Sequence, residues 1–396
     1  MPRAKPSPMQ RLLWLPMILL AGCAVNPVTG KNELMLLDES QEINMGAKQY
    51  EPSQQSQGGR YVSDPGLTDY VSEIGQRLAR VADRSLPYEF VVIDDSTPNA
   101  WALPGGKIAV NRGLLTKLNS EAELAAVLSH EIVHAAARHS AKSIERGMLL
   151  SSVLGVASAA IDQRAGNYGR IFEDGAQLGA QFIVSSYGRE AELESDAYGM
   201  IYMVRAGFDP EAAVSLQETF VQLSKGQSSN WLDGMLASHP PSQERVEKNR
   251  QTASRLKQSA RQDLIFGFDR YQSMLNRLSQ LSPAYNQTQA ALIALKAGEL
   301  DQAESDIQKA LEQTQSEAQI YSAAGQIAMA RKEFTQAQRH FSDAIKINPD
   351  HFRYFLGRGL AAKALGQNDV ARADLRRSQA LLPSQAGARA LAELGE

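Results

Sequence analysis

A single cysteine, Cys23, occurs in 396 residues. No intrachain disulfide can form, so the thiol is left for some other role. Charge of one sign is scarce too. The chain has 41 Lys and Arg against 44 Asp and Glu, a formal net charge of −3. That balance gives no sign of the basic face by which a protein meets nucleic acid or an anionic membrane surface. No apolar run reaches the roughly 20 residues of a membrane-spanning helix. Met148 to Ile161 comes closest, but it is rich in Ser, Gly and Ala and reads as a packed helix. What remains is ordinary for a globular protein. With 43% hydrophobic and 21% charged residues, the chain can bury a core, and its length suits two or three domains.

Residues 1–22 carry Arg3, Lys5 and Arg11, then the apolar run Leu12 to Leu20, then small residues. This layout predicts a secretory signal peptide that is not part of the fold. Its end, Leu20-Ala21-Gly22-Cys23, resembles a bacterial lipoprotein signal. The resemblance implies cleavage before Cys23 and acylation of its thiol. The alternative is a plain signal peptide or N-terminal anchor with an incidental Cys. Each buried methylene of an acyl chain contributes about 0.8 kcal/mol to membrane attachment. Ala24 rather than Asp after the Cys implies, by the same resemblance, a periplasmic protein held at the outer membrane. Residues 23–60 read as a tether and lead-in. Turn signals stand at Asn26-Pro27 and Thr29-Gly30, a short helix is predicted over Asp38 to Tyr50, and Gly58-Gly59 breaks the chain.

A domain is predicted over 61–260. Asp64 to Ala82 places Leu67, Tyr70, Val71, Ile74 and Leu78 on one helical face. Tyr88 to Ile93 reads as a strand. Ala100 to Leu103 and Lys107 to Asn111 flank Pro104-Gly105-Gly106 as a hairpin with a slightly long loop. Ser120 to Ser140 is predicted as one long helix, with Ser120 as N-cap and Glu123 completing a capping box. Further helices fill 141–260, with Gly-rich breaks near 166–175, and 250–283 links this domain to a different architecture. Ala303, Ala337 and Ala371 recur every 34 residues, as do Ala294, Ala328 and Ala362, then Ile307, Phe341 and Leu375. Pro349 and Pro383 close two units. This period resembles the tetratricopeptide repeat, about three copies over 284–385, whose stacked helix pairs form an α-solenoid that binds protein segments.

The chemistry centres on His130-Glu131-Ile132-Val133-His134. On a helix, positions i and i+4 share a face, so two imidazoles can bind one metal ion while Glu131 stands beside it as a base. The chain has only 6 His, which makes an ordered pair informative. A catalytic zinc site needs a third protein ligand and an open position. Glu190, Glu192, Glu194 and Asp196 lie on one predicted helix. Glu192 and Asp196 share a face, so Glu192 can reach the metal while Asp196 hydrogen-bonds the far nitrogen of a ligating His. Glu194, about 200° away from Glu192, is the substitute ligand. His139, five residues beyond His134, falls off the ligand face and reads as structural, as do His340 and His351.

This order, HExxH and then Glu-x-x-x-Asp some sixty residues later, resembles the gluzincin metallopeptidases. Within them it resembles the family of HtpX and the CAAX prenyl protease, over roughly residues 30–250. Tyr187-Gly188-Arg189-Glu190-Ala191-Glu192 and Ser195-Asp196-Ala197-Tyr198-Gly199 carry that likeness, although Ala is usual in the family where Ser195 stands. The repeats place the chain nearest the BepA-like subgroup, and its lipoprotein signal is as in LoiP. The resemblance implies a mainly α-helical zincin domain with a small β-sheet, followed by the repeats. It implies one Zn2+ per chain, held by His130, His134 and Glu192, with Glu131 catalytic and Asp196 behind them. It makes Asn99, Ala100 and Trp101 an edge strand that aligns substrate. It brings His239 of His239-Pro240 near the site, as a fourth ligand or a transition-state group, unless it is only a loop residue. It further implies unfolded or misassembled envelope proteins as substrates and the outer-membrane assembly machinery as a repeat partner. A chaperone-like adaptor with a latched or structural zinc stands as the alternative, and a zinc enzyme acting on a non-peptide bond as a third.

Overall fold

The computed structural model describes residues 23–147, 187–225 and 238–396. The signal segment 1–22, the helix read from Met148 to Ile161 and the breaks near 166–175 lie outside the described residues. Among the described residues, no helix is long and apolar enough to cross a membrane.

The chain opens with β1 (Cys23–Val25) antiparallel to β2 (Asn32–Leu34). Asn26 shapes the turn between them by accepting from Val28 N and Thr29 N at 2.9 and 3.1 Å. Helix α1 (Glu39–Gln57) carries a full capping box between Asp38 and Gln41. It outruns the short helix expected to end at Tyr50. The reason is tertiary, since Ser53, Gln54 and Gln55 are buried and Gln55 reaches residues in the C-terminal third. Helix α2 (Pro65–Ala79) is capped by Asp64 and buries the predicted face, Leu67, Tyr70, Val71, Ile74 and Leu78.

Strand β3 (Glu89–Ile93) runs parallel to β5 (Lys107–Asn111), and β4 (Ala100–Leu103) lies antiparallel on the other side of β5, giving the order β3-β5-β4. The hairpin turns through Gly105 and Gly106 at φ 75° and 85°, the left-handed region that glycine enters without steric cost. Helix α1 lies on this turn so closely that a Cβ at Gly46 would overlap the Pro104 carbonyl oxygen.

After the single turn α3 (Arg112–Leu115), helix α4 (Glu121–Ala136) runs through the domain with every residue but His130 buried. Ser120 Oγ accepts from Glu123 N at 3.1 Å. The Glu123 carboxylate turns instead to Asn119 N, at 2.7 Å, so the expected capping box is half made. The expected run to Ser140 is interrupted. Arg138 sits at φ 64°, and a separate helical run covers 139–147. Arg138 is drawn out of register by buried Glu42, by the Leu37 carbonyl at 2.6 Å and by Glu145 at 3.3 Å. Helices α5 (Arg189–Arg205), α6 (Glu211–Lys225) and α7 (Gln243–Ser259) pack with α4 around the core.

The linking stretch is itself packed. Tyr271 of α8 (Phe268–Met274) is fully buried and donates to the Leu115 carbonyl at 2.7 Å. Helices α9 (Asn276–Ala297) and α10 (Leu300–Gln313), α11 (Ala318–Ala330) and α12 (Phe334–Ile347), and α13 (Phe352–Ala364) and α14 (Asn368–Leu381) form three antiparallel pairs, and α15 (Gln385–Glu393) follows. Ala303, Ala337 and Ala371 are wholly buried, where small side chains let the helices close. Tyr285, Gln319 and Arg353 hold the same place in successive pairs, and each touches the N-terminal domain. Tyr285 bonds the Tyr61 hydroxyl at 3.1 Å, Gln319 the Asp94 carbonyl, and Arg353 the Ser56 carbonyl at 3.0 Å.

His351 joins this interface, its Nδ1 3.0 Å from Gln55 Oε1. Burial, reinforced by Arg353, pushes its imidazole down to about 3. A depressed folded-state value contributes stability that is complete above the unfolded value, about 6.5, and lost as pH falls towards 3. The melting-temperature gap between the native chain and His351→Gln should therefore be widest near about pH 7.5 and narrow towards about pH 5. A gap that stays constant over that range would show that His351 is not the titrating group.

Candidate metal centre

Helix α4 projects His130 and His134 from one face, α5 brings Glu192 and Asp196, the segment entering α7 brings His239, and α7 itself brings Arg245. The Nε2 atoms of His130 and His134 lie 3.0 Å apart. Glu192 Oε2 is 3.5 Å from His130 Nε2, and its Oε1 is 3.4 Å from His134 Nε2. His239 Nδ1 stands 3.3 Å from His130 Nε2 and 3.0 Å from Glu192 Oε1. One donor atom from each of these four residues lies within 4.8 Å of the others. Three imidazoles and a carboxylate converging on one buried point suit a zinc-type divalent cation. Glu131 lies alongside, its Oε1 3.4 Å from His239 Nε2. Its Oε2 is buried without a hydrogen-bond partner, an acceptor still available at the centre.

Asp196 Oδ1 is 2.9 Å from His130 Nδ1, the far nitrogen of that ring. Arg245 grips Asp196 through two bonds of 2.7 Å and reaches Glu192 Oε2 at 2.7 Å. Burial alone would raise the Asp196 carboxyl, but Arg245 outweighs it and holds the group at about 2. Glu131 is different. Burial dominates and its carboxyl is raised, with His239 and His130 countering only in part. A carboxylate with raised proton affinity suits a general base.

The other side of His134 was not foreseen. His139 Nδ1 lies 2.9 Å from His134 Nδ1, and His139 Nε2 is 3.1 Å from Glu194 Oε1. The break at Arg138 swings His139 back under the ring that an unbroken helix would have carried it past. Glu194, the expected substitute ligand, faces His139 instead. The Tyr187 ring stacks on His134 with centroids 3.8 Å apart, and its hydroxyl meets Ser140 Oγ at 2.7 Å. No local pattern in the sequence marks these contacts.

Ala100 and Trp101 lie on β4, at the margin of the sheet, with Asn99 just before it, and all three are buried. Trp101 packs edge-on against Tyr50 at 6.1 Å. Ser140 Oγ donates to the Ala102 carbonyl at 3.3 Å, which links β4 to Tyr187. His340 and His351 lie in the repeats, away from the centre.

Residues 65–253 match the family model described as "Peptidase family M48", and residues 318–351 match "Tetratricopeptide repeat". The chain is 32% identical over 249 residues to the mitochondrial metalloendopeptidase OMA1 of Schizosaccharomyces pombe, covering 60% of this chain and 71% of that protein. It is 29% identical over 247 residues to the beta-barrel assembly-enhancing protease of Yersinia pestis, covering 61% of this chain and 50% of that one. It thus spans about half the length of that bacterial relative. The Arabidopsis OM64 TPR domain aligns over 29% of this chain and 97% of its own, at 20% identity and a TM-score of 0.29.

Replacing buried Arg245 by Met leaves two buried carboxylates without their guanidinium. Breaking such a pair costs about 3–5 kcal/mol, to be read from chemical denaturation of the metal-free chain. A loss below about 1 kcal/mol would mean that other groups neutralise Glu192 and Asp196.

Proposed function

The chain belongs to peptidase family M48, and from that premise we propose that it is a zinc-dependent endopeptidase of the bacterial cell envelope. The observation that carries this reading is the convergence of His130, His134, Glu192 and His239 within 4.8 Å, with an unsatisfied Glu131 oxygen beside them. In this reading His130, His134 and Glu192 hold the metal and Asp196 orients His130. When bound, zinc polarises the scissile carbonyl and lowers the pKa of a coordinated water to about 7.

The remaining work falls to the chain. Glu131 takes a proton from the attacking water as its oxygen bonds the carbonyl carbon. It then passes that proton to the nitrogen as the C–N bond breaks. Strand β4 aligns an extended substrate by main-chain pairing, and an incoming strand would compete with Ser140 for the Ala102 carbonyl. A narrow recess of about 30 Å³ lies beside His130 and Glu131, with Met200, Met203, Leu216 and Phe220 on its apolar side, and a substrate side chain would have to widen it to enter. The position of His239 supports the fourth-ligand role, a rest state that closes the site. The repeats would present protein segments to it. The likeness to beta-barrel assembly-enhancing proteases and the lipoprotein-like Cys23 favour misassembled envelope proteins as substrates. They also favour an outer-membrane anchor and contact with the assembly machinery.

Casein cleavage by the purified zinc-loaded chain tests the first reading. Activity should vanish with a chelator and fall by about 10²- to 10⁴-fold in Glu131→Gln, with zinc content unchanged. Undiminished cleavage by Glu131→Gln would refute the assigned base.

The same fourth donor also favours a second reading, a repeat adaptor with a permanently shut site. In a cell, full complementation by Glu131→Gln would favour that adaptor. Substituting His239 separates its two roles. His239→Ala should retain zinc and cleave faster if His239 is the latch. A slower enzyme with zinc retained would instead assign it to the transition state.

A further inference from the structure

The two imidazoles of the HExxH helix are supported differently, and only one support is direct. His130 meets the Asp196 carboxylate at 2.9 Å. For His134, the corresponding nitrogen faces a third imidazole, with His139 Nδ1 at 2.9 Å and Glu194 Oε1 a further 3.1 Å beyond His139 Nε2. We propose that His139 and Glu194 form a positioning relay for His134, fixing the tautomer and ring angle that a metal ligand requires. The proposal rests on the metallopeptidase reading above.

The proton count closes along the chain. With Nε2 of His134 turned to the metal-binding point, its hydrogen resides on Nδ1 and is donated to His139 Nδ1. His139 must then accept on Nδ1 and carry its own hydrogen on Nε2, which it donates to the Glu194 carboxylate. Each ring has one acceptor and one donor, and no hydrogen is left facing another. Ring placement agrees with this. His139 and His134 meet edge to face at 74°, and Tyr187 stacks on His134 at 24°, so the imidazole cannot swing away. His134 and His139 are buried, while Glu194 keeps 18% of its side-chain exposure. The relay therefore runs from the metal point outward to a partly solvated carboxylate. It exists because Arg138 breaks the helix. His139 is five residues past His134, and only the left-handed residue between them turns it back.

Outer groups of this kind typically change metal affinity by about 10- to 100-fold. The test is competition for zinc between the full mature chain and a chromophoric chelator. Melting of each metal-free variant monitors folding. His139→Ala should weaken zinc binding by about 10- to 100-fold. Glu194→Ala should weaken it as well. Glu194→Gln, whose amide oxygen still accepts from His139, should restore binding to near the native level. The double variant His139→Ala with Glu194→Ala should bind no more weakly than His139→Ala alone. Native affinity in both alanine variants, or losses that add, would overturn the relay. If His139→Ala fails to fold, the Glu194→Ala and Glu194→Gln pair decides, because that side chain lies at the accessible end. A native chain that binds no zinc would sink the metallopeptidase reading itself. A native chain that binds zinc beside indifferent variants would sink only the relay.

Discussion

Three carboxylates, Glu131, Glu192 and Asp196, lie at 1%, 2% and 8% exposure in the interior of one domain. Moving such a group from water to a dry interior costs on the order of 20 kcal/mol in the idealised limit, and several kcal/mol after relaxation. Most of what surrounds the centre offsets that burden. Arg245 is suited to it because a guanidinium presents several donors in a rigid fork. Two of its hydrogen bonds close on Asp196, and its Nη1 forms an ion pair with Glu192 Oε2 at 2.7 Å. Since Arg245 lies on α7, both acids on α5 and His130 on α4, the same ionic knot locks three helices in register. Metal site and domain core are then one object, and a bound cation would finish a neutralisation that the fold has already begun.

A second buried knot controls where the HExxH helix stops. Glu42 accepts from both Arg84 and Arg138, and Glu145 accepts from Arg138 and from the Leu36 and Leu37 amides. A left-handed arginine costs roughly 1–2 kcal/mol. Charge-assisted bonds to buried carboxylates, each stronger than a neutral bond, offset that strain. The lead-in helix α1 thereby shapes the metal centre without touching it, by ending α4 at Ala136 and turning His139 inward.

The features legible in the sequence are those carried by short-range periodicity. His130 and His134 at i and i+4 share a helix face whatever the rest of the chain does. Pro104-Gly105-Gly106 between two apolar runs specifies a hairpin turn locally. The 34-residue recurrence of Ala303, Ala337 and Ala371 identifies helix pairs without reference to a partner. The features that could not be read depend on distant residues. Ala136-Ala137-Arg138 contains no glycine, proline or asparagine to announce a break, and the cause is Glu42, 96 positions earlier. The length of α1 depends on Gln55 meeting His351, 296 positions later. The relay partner of His134 was visible as a histidine, but spacing on an ideal helix directs it the wrong way.

The seating of the repeats follows the same logic of buried charge. Arg112 and Asp94 form a pair at 2.6 Å, both nearly inaccessible. The Arg112 guanidinium lies 3.5 Å from the centre of the Tyr285 ring, and Gln319 bonds the Asp94 backbone carbonyl. Tyr285 also donates to Glu317 at 2.7 Å. A cation and an acid of the N-terminal domain are thus roofed by side chains of the first two repeats. Without that roof the pair would be hydrated, and an exposed pair of this kind contributes only about 0–1 kcal/mol. Asp94 also directly follows β3 and begins the connection to β4. The repeats therefore press on the segment that positions the sheet margin, and the two domains share one buried polar seam.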